Sequence, residues 1–168
     1  EQQEQEQLPE VDSALEQTIH LEEEALLLQQ QREMMERLQD PRVREAIDLA
    51  IDRRQLGEIA MDGMGSPATQ LVSQGIFGYN TGLPEVKLNL ERSRQLLREA
   101  GYPNGFKFTL SFTVDRLPGD REIGTTLVQM LARVGIDVAP NGVPVSILFS
   151  ARPRGELSAT LAGWGTIT

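Results

Sequence analysis

The sequence contains no cysteine, which excludes disulfide bonds, thiolate metal sites and a cysteine nucleophile. No apolar run approaches the roughly 20 residues of a membrane-spanning helix, so we expect no membrane insertion. Basic residues are in the minority, because 16 Lys and Arg stand against 25 Asp and Glu, for a formal net charge of −9. Such a charge repels nucleic-acid phosphates and anionic lipid, and we expect no nucleic-acid partner.

Residues that carry catalysis are also scarce. His20 is the only histidine, and the sequence has no Ser-His-Asp order, phosphate-binding loop or zinc-protease motif. Glu16, Glu23 and Glu24 lie within one helical turn of His20 and could join it around a metal ion. A solvated helix face explains them more simply, because so open a set lacks convergent ligand geometry. We therefore expect no enzymatic activity, no metal and no cofactor.

Residues 1 to 39 differ in composition from the rest of the chain. The opening Glu and Gln run has nothing to bury, which predicts disorder over residues 1 to 12. It has neither a basic n-region nor an apolar h-region, so we expect no export signal in this chain. Apolar residues then recur at helical spacing, which predicts an amphipathic helix over residues 13 to 39.

The next part of the chain has clear helix-start signals. Asp40 followed by Pro41 is an N-cap with proline at the first helical position, and Asp52 and Asn89 can cap two further helices. Between the second and third of these helices, glycine and proline punctuate residues 63 to 88 without any sustained period. This segment is predicted to be a long surface loop.

The C-terminal part alternates between strand and helix patterns. Apolar and polar residues alternate over 106–114, which predicts a half-buried strand. A helix is predicted over 119–134 and a second strand from 136–138, so the three form a βαβ unit with parallel strands. Residues 145–151 fit either a strand or a helix, and residues 157–162 predict a last strand. The fold class is mixed α/β.

Five segments, in this order, resemble the solute-binding proteins of bacterial peptide and nickel ABC importers, family 5. The first is the Asp-Pro helix, and the others are the glycine-proline loop, a Leu-Leu-x-x-Ala-Gly-Tyr element, the helix and strand start of the βαβ unit, and a terminal Gly-Trp-Gly. They occupy residues 40–53, 63–72, 96–103, 127–136 and 155–165. The resemblance covers residues 40 to 168, whereas residues 1 to 39 do not match.

The resemblance implies both a fold and a function. Members of the family have two α/β lobes that close on a solute, so residues 40 to 168 are expected to form part of the second lobe of a type II periplasmic-binding-protein fold. The chain is then the substrate-binding component of an ABC importer, or a fragment of it, without catalysis. Its expected partners are a peptide or other small solute and an ABC permease, in a periplasmic or extracytoplasmic location.

Three residues are candidate ligand contacts. The resemblance places Trp164 in the cleft near the hinge, where an indole offers a flat face and an N–H donor, although a core position is an equal alternative. Tyr79, on the long loop, could contact a peptide backbone, although loop anchoring explains it more simply. Phe112, on the first predicted strand, is the third candidate.

A charged turn precedes the helix of the βαβ unit. It contains Asp115, Arg116, Asp120 and Arg121 and could hold an anionic group at the helix N-terminus. Helix capping and pairing of these charges with one another explain it more simply.

An alternative function belongs to a different class of protein. The acidic helix over residues 13 to 39 could make the chain an interaction or assembly module, built on a truncated lobe that binds no ligand by itself. Self-association through this helix is the corresponding partner prediction.

Overall fold

A computed structural model describes residues 13–60 and 62–163. The predicted disorder of residues 1 to 12 and the candidate contact Trp164 lie outside this part of the chain. The described residues divide into two compact units, with the boundary between Glu33 and Met34.

The first helix, α1, spans Ser13–Gln39 and has the predicted bounds. In the first unit its apolar residues are exposed, including Leu15 and Leu26, each 56% exposed. In the second unit, Met34 and Leu38 are partly buried against the core. The predicted apolar face of α1 is therefore buried only near its C-terminal end.

Three further helices begin at the predicted caps. They are α2 (Pro41–Ala50), α3 (Arg53–Ala60) and α4 (Leu90–Glu99). The side chains of Asp40, Asp52 and Asn89 accept hydrogen bonds from backbone N–H groups two or three residues further on, at 2.8, 3.0 and 2.9 Å respectively. Each cap satisfies a donor that the first helical turn leaves without a partner. Helix α2 packs against α4.

The segment between α3 and α4 is the predicted long loop. Residues 62–89 contain neither helix nor strand. The side-chain amide of Gln70 closes part of it: Gln70 Nε2 donates to the Asn80 carbonyl at 3.0 Å, and the Asn80 N–H donates to Gln70 Oε1 at 2.9 Å. The loop thus has a defined conformation without regular secondary structure.

The C-terminal part forms the predicted βαβ unit and continues beyond it. Its elements are β1 (Lys107–Thr113), α5 (Asp120–Ala132), β2 (Asp137–Val143), α6 (Val145–Ala151) and β3 (Ala159–Thr160). The sheet order is β2-β1-β3, and both neighbours of β1 are parallel to it. The segment that fitted either strand or helix is helical, and the last strand is shorter than predicted.

Two features of the sheet differ from the predictions. Strand β1 is not half-buried, because Ser111 and Thr113 on its polar face are buried as well. As the central strand it is paired on both sides and packs against α5 and α6. Strand β2 continues past the predicted segment and through Pro140, which an edge strand tolerates because the missing N–H would face away from the ladder.

Candidate functional site

The carboxyl ends of β1 and β3 lie next to each other at the same end of the sheet, because the two strands are parallel neighbours. In open parallel α/β sheets, ligands bind in the crevice outside this end. The Leu161 N–H donates to the Ser111 carbonyl at 2.9 Å, which keeps the chain after β3 beside β1. We call residues 113–120 and 161–163 the carboxyl edge.

Asp120 organises the turn that follows β1. It is only 6% exposed, and its Oδ2 accepts hydrogen bonds from the Thr113 hydroxyl and, at 3.0 Å, from the Leu117 N–H. The turn ends at Gly119, whose φ of 81° lies in the left-handed region that suits glycine. The carboxylate therefore joins the end of β1 to the middle of the turn.

Asp115 joins the same turn to α6. Its Oδ1 accepts a hydrogen bond from the Val145 N–H at 2.9 Å. The ladder also continues past β1, because the Val114 N–H donates to the Val143 carbonyl at 3.2 Å. The start of α6 is thereby fixed next to the carboxyl edge.

Arg116 presents a positive charge at this edge. Its side chain is exposed, and its guanidinium carbon lies 5.1 Å from the centre of the Phe149 ring on α6. Arg116 forms no ion pair with any carboxylate in residues 13–60 and 62–163. A guanidinium held in this way can donate two parallel hydrogen bonds to a carboxylate or phosphate.

The preferred sequence interpretation of the charged turn is wrong on both points. The N-cap of α5 is Gly119, and no side chain among the described residues caps this helix by a hydrogen bond. In the described part of the chain, Arg116 and Arg121 do not pair with the neighbouring carboxylates, because Asp115 and Asp120 bind backbone N–H groups instead. The contribution of Phe149 was missed, because residues 145–151 fitted either a strand or a helix in the sequence.

The chain after β3 packs closely on the turn. A Cβ atom at Gly163 would collide with Cδ1 of Leu117, so the backbone of Gly163 lies directly against that side chain. Trp164 is the next residue along the chain and lies outside the described part. Gly163 thus brings the chain to the carboxyl edge just before this candidate contact.

Phe112 is a core residue, so its burial does not support its prediction as a ligand contact. Its side chain is 3% exposed. A Cβ at Gly124 would lie 2.6 Å from its ring, and a Cβ at Gly142 would lie 3.3 Å from it. The ring occupies a slot that these two glycines leave open, with no surface available to a solute.

Tyr79 lies in a different place from the carboxyl edge. It lines a surface depression of about 260 Å³ together with residues 66–70 and 72–74, and Phe112 is not part of this lining. The Tyr79 N–H donates to the Ile76 carbonyl at 3.1 Å, within a turn. The structure therefore does not bring Tyr79 and Phe112 into one site.

The described ranges, 13–60 and 62–163, contain neither a metal-binding cluster of side chains nor a membrane-spanning helix. No group of three or more His, Asp and Glu side chains is placed to hold a metal ion there. None of the helices in these ranges is both long and apolar enough to cross a membrane.

Comparison with protein families identifies one matching family. Residues 2–168 match the model of the bacterial extracellular solute-binding proteins, family 5 (middle). The match also includes residues 2 to 39, so the prediction that residues 1 to 39 lie outside the family resemblance is wrong for this segment. The alternative of an assembly module built on residues 13 to 39 has no support from the comparisons.

Individual relatives agree with this family. Heme-binding protein A of Haemophilus influenzae is 27% identical over 128 residues, which are 73% of this chain and 23% of the relative. Glutathione-binding protein GsiB of Escherichia coli K12 is 38% identical over 97 residues, which are 58% of this chain and 19% of the relative. The chain spans about a quarter of the length of these relatives, or less.

Solved structures show the same fold. The ABC transporter-associated periplasmic binding protein DppA of Helicobacter pylori, in complex with the peptide STSA, has a TM-score of 0.70 and 28% identity. The similarity covers 76% of this chain and 24% of DppA. It confirms the predicted mixed α/β fold of the type II periplasmic-binding-protein class.

Proposed function

Because the chain belongs to the bacterial extracellular solute-binding proteins, family 5, we propose that it supplies part of one lobe of the substrate-binding component of an ABC importer. The proposed ligand is a peptide or similar small solute, and the proposed partner is an ABC permease. Relatives named for heme and glutathione, and a related structure with a bound peptide, support this range of solutes. The proposed location is the periplasm or another extracytoplasmic space, and the chain binds its solute without transforming it.

The observation that carries this proposal is a cation at the carboxyl edge, Arg116, which forms no ion pair within residues 13–60 and 62–163. Arg116 is exposed and held 5.1 Å from the Phe149 ring, at the side of the sheet where α/β folds receive ligands. Its chemistry suits an anionic group on the solute, such as the carboxylate of a peptide. Arg116 is therefore the proposed contact for that group.

Two of the predicted contacts remain part of the proposal. Trp164 directly follows Gly163, whose backbone packs on Leu117 at the carboxyl edge, and an indole can stack on apolar or planar groups of a solute. Tyr79 is a second, separate candidate, supported by the depression that it lines. Phe112 is not included, because its ring is buried.

The affinity of this chain alone is expected to be low. Ligand sites generally enclose about 70–90% of a small ligand's surface, whereas the carboxyl edge offers contacts on one side. We expect a Kd of about 1 mM, which corresponds to a binding free energy of roughly −4 kcal/mol.

A titration with a matched pair of peptides tests the proposal. The dipeptide Ala-Phe carries a free carboxylate, and its C-terminal amide does not. We expect Ala-Phe to bind saturably and its amide to bind about fivefold more weakly. In Arg116→Ala, the affinity for Ala-Phe should also fall about fivefold, since each change removes one exposed charge pair. Arg121→Ala is the matched control, because Arg121 is also exposed and without an ion pair in the described residues.

The proposal fails if Ala-Phe shows no saturable binding. The role of Arg116 fails if Arg116→Ala binds Ala-Phe as the unchanged protein does, or if Arg121→Ala weakens binding equally. In the last case, binding reflects general positive charge around the turn rather than one directed contact.

A further inference from the structure

We propose that Asp120 is a positioning residue for Arg116, and that it thereby determines how strongly the carboxyl edge prefers anionic solutes over neutral ones. This inference rests on the proposed function. Asp120 itself does not contact the solute, because its side chain is buried and both of its recorded partners are groups of the protein.

The first argument is the geometry of the turn. Asp120 Oδ2 accepts from the Thr113 hydroxyl on one side of Arg116 in the chain and from the Leu117 N–H on the other. The carboxylate therefore closes a ring of backbone around Arg116. A charged acceptor makes stronger hydrogen bonds than a neutral one, and burial shields these bonds from water.

The second argument concerns the charge of Arg116. Two carboxylates, Asp115 and Asp120, flank it in sequence, and either could neutralise a flexible arginine. Both are instead engaged by backbone N–H groups, those of Val145 and Leu117. Within the described residues neither carboxylate forms an ion pair with the guanidinium, which leaves it available to an external anion, and the Phe149 ring lies 5.1 Å from it.

The third argument is the link to the chain after β3. Leu117, whose N–H binds Asp120, packs its side chain on the backbone of Gly163. Leu117 therefore ties the turn that carries Arg116 to the chain after β3.

Stabilisation alone is the competing explanation for a buried, hydrogen-bonded carboxylate. A purely structural role would weaken binding of charged and neutral solutes by the same factor. A positioning role would weaken binding of Ala-Phe and leave binding of its amide nearly unchanged. The ratio of the two Kd values therefore separates the explanations.

The experiment compares this ratio in four variants of the full chain. In Asp120→Ala the preference for the free carboxylate should fall from about fivefold to near one, as in Arg116→Ala. Asp120→Asn keeps an oxygen acceptor and should retain most of the preference. Thr113→Val removes only one of the two hydrogen bonds and should give an intermediate ratio. Asp137→Asn removes an exposed carboxylate on β2 that pairs with Lys107 at 3.7 Å, and should leave the ratio unchanged.

An unchanged ratio in Asp120→Ala overturns the inference. If that variant does not fold, Thr113→Val decides the question in the same way. If the unchanged protein binds neither peptide, the proposed function has failed, and the Arg116 Nε–H resonance then tests positioning alone. It should lose its ring-current shift from Phe149 in Asp120→Ala, and an unaltered shift would contradict the inference.

Discussion

The guanidinium carbon of Arg116 lies 5.1 Å from the centre of the Phe149 ring, so the turn after β1 and helix α6 share one cation–π contact. Such contacts are worth about 0.5–1 kcal/mol at exposed sites. Phe149 is half-exposed, and the ring thus supports the cation without removing it from solvent. The contact places a positive charge where the sheet ends.

The first prediction concerns this contact. Phe149→Leu should leave α6 folded but remove the ring current, so the Nε–H resonance of Arg116 should move toward its value in an unstructured peptide. Ile147→Ala, at another exposed position of α6, is the control and should not move it. An Arg116 resonance that is the same in Phe149→Leu would show that the guanidinium does not rest on the ring in solution.

The second prediction concerns the slot for Phe112. In an exposed helix, replacing glycine with alanine stabilises by about 1 kcal/mol, but a Cβ at Gly124 would lie 2.6 Å from the Phe112 ring. Gly124→Ala should therefore destabilise the protein by roughly 1–3 kcal/mol in urea unfolding.

A smaller side chain at position 112 should reduce this cost. The substitution Phe112→Leu destabilises by itself, but adding Gly124→Ala to it should cost less than adding it to the unchanged protein. Gln129→Ala, on the exposed face of α5, is the control for helix propensity. Equal costs in the two backgrounds would contradict a direct clash with the ring.

The third prediction concerns the Gln70 contact with Asn80. Gln70→Ala removes both hydrogen bonds that close the loop, so the Asn80 amide should exchange with solvent faster, by about fivefold for a net loss of about 1 kcal/mol. Gln74→Ala, at an exposed position of the same loop, should leave this exchange unchanged. Protection of Asn80 that persists in Gln70→Ala would mean that other contacts close the loop.

The fourth prediction is a pH dependence at the start of α2. Hydrogen bonds from the Arg42 side chain and then from its backbone N–H lower the pKa of Asp40 from 3.8 to about 2. Because the pKa is lower in the folded state, ionised Asp40 stabilises the fold at pH values above 3.8, and this stabilisation is lost as the pH falls toward 2.

Melting temperatures of Asp40→Asn test this dependence, since asparagine keeps a cap acceptor but has no charge. The variant should melt about 1–3 °C below the unchanged protein at pH 6, a small difference because the pair is exposed to solvent, and should approach it near pH 2. In an Arg42→Ala background the difference should shrink at pH 6. A difference in melting temperature that does not change with pH would show that the charge of Asp40 does not stabilise the start of α2.

The helix starts could be predicted because capping is a local interaction. Asp40, Asp52 and Asn89 each bind an N–H group two or three residues away, so a short stretch of sequence contains both partners. The parallel βαβ unit could also be predicted, because each strand and helix has its own local spacing of apolar residues and a helix connects the two strands. These features account for the correct prediction of the mixed α/β fold.

The carboxyl edge could not be predicted in the same way, because its contacts join residues from separate elements. Phe149 meets Arg116, and Asp115 meets Val145, only after α6 has packed beside β1. The burial of Phe112 likewise depends on Gly124, which belongs to another element. Alternation along β1 identified the strand but gave no information on what would cover its second face.

Amide chemical-shift mapping during titration with Ala-Phe shows which face of the chain binds the solute. If this face is the carboxyl edge, the largest shifts occur in residues 113–120 and at the start of α6, and they saturate with a Kd of about 1 mM. Shifts confined to Tyr79 and residues 66–70 and 72–74, or no shifts at about 20 mM peptide, would show that the carboxyl edge is not the solute-binding face.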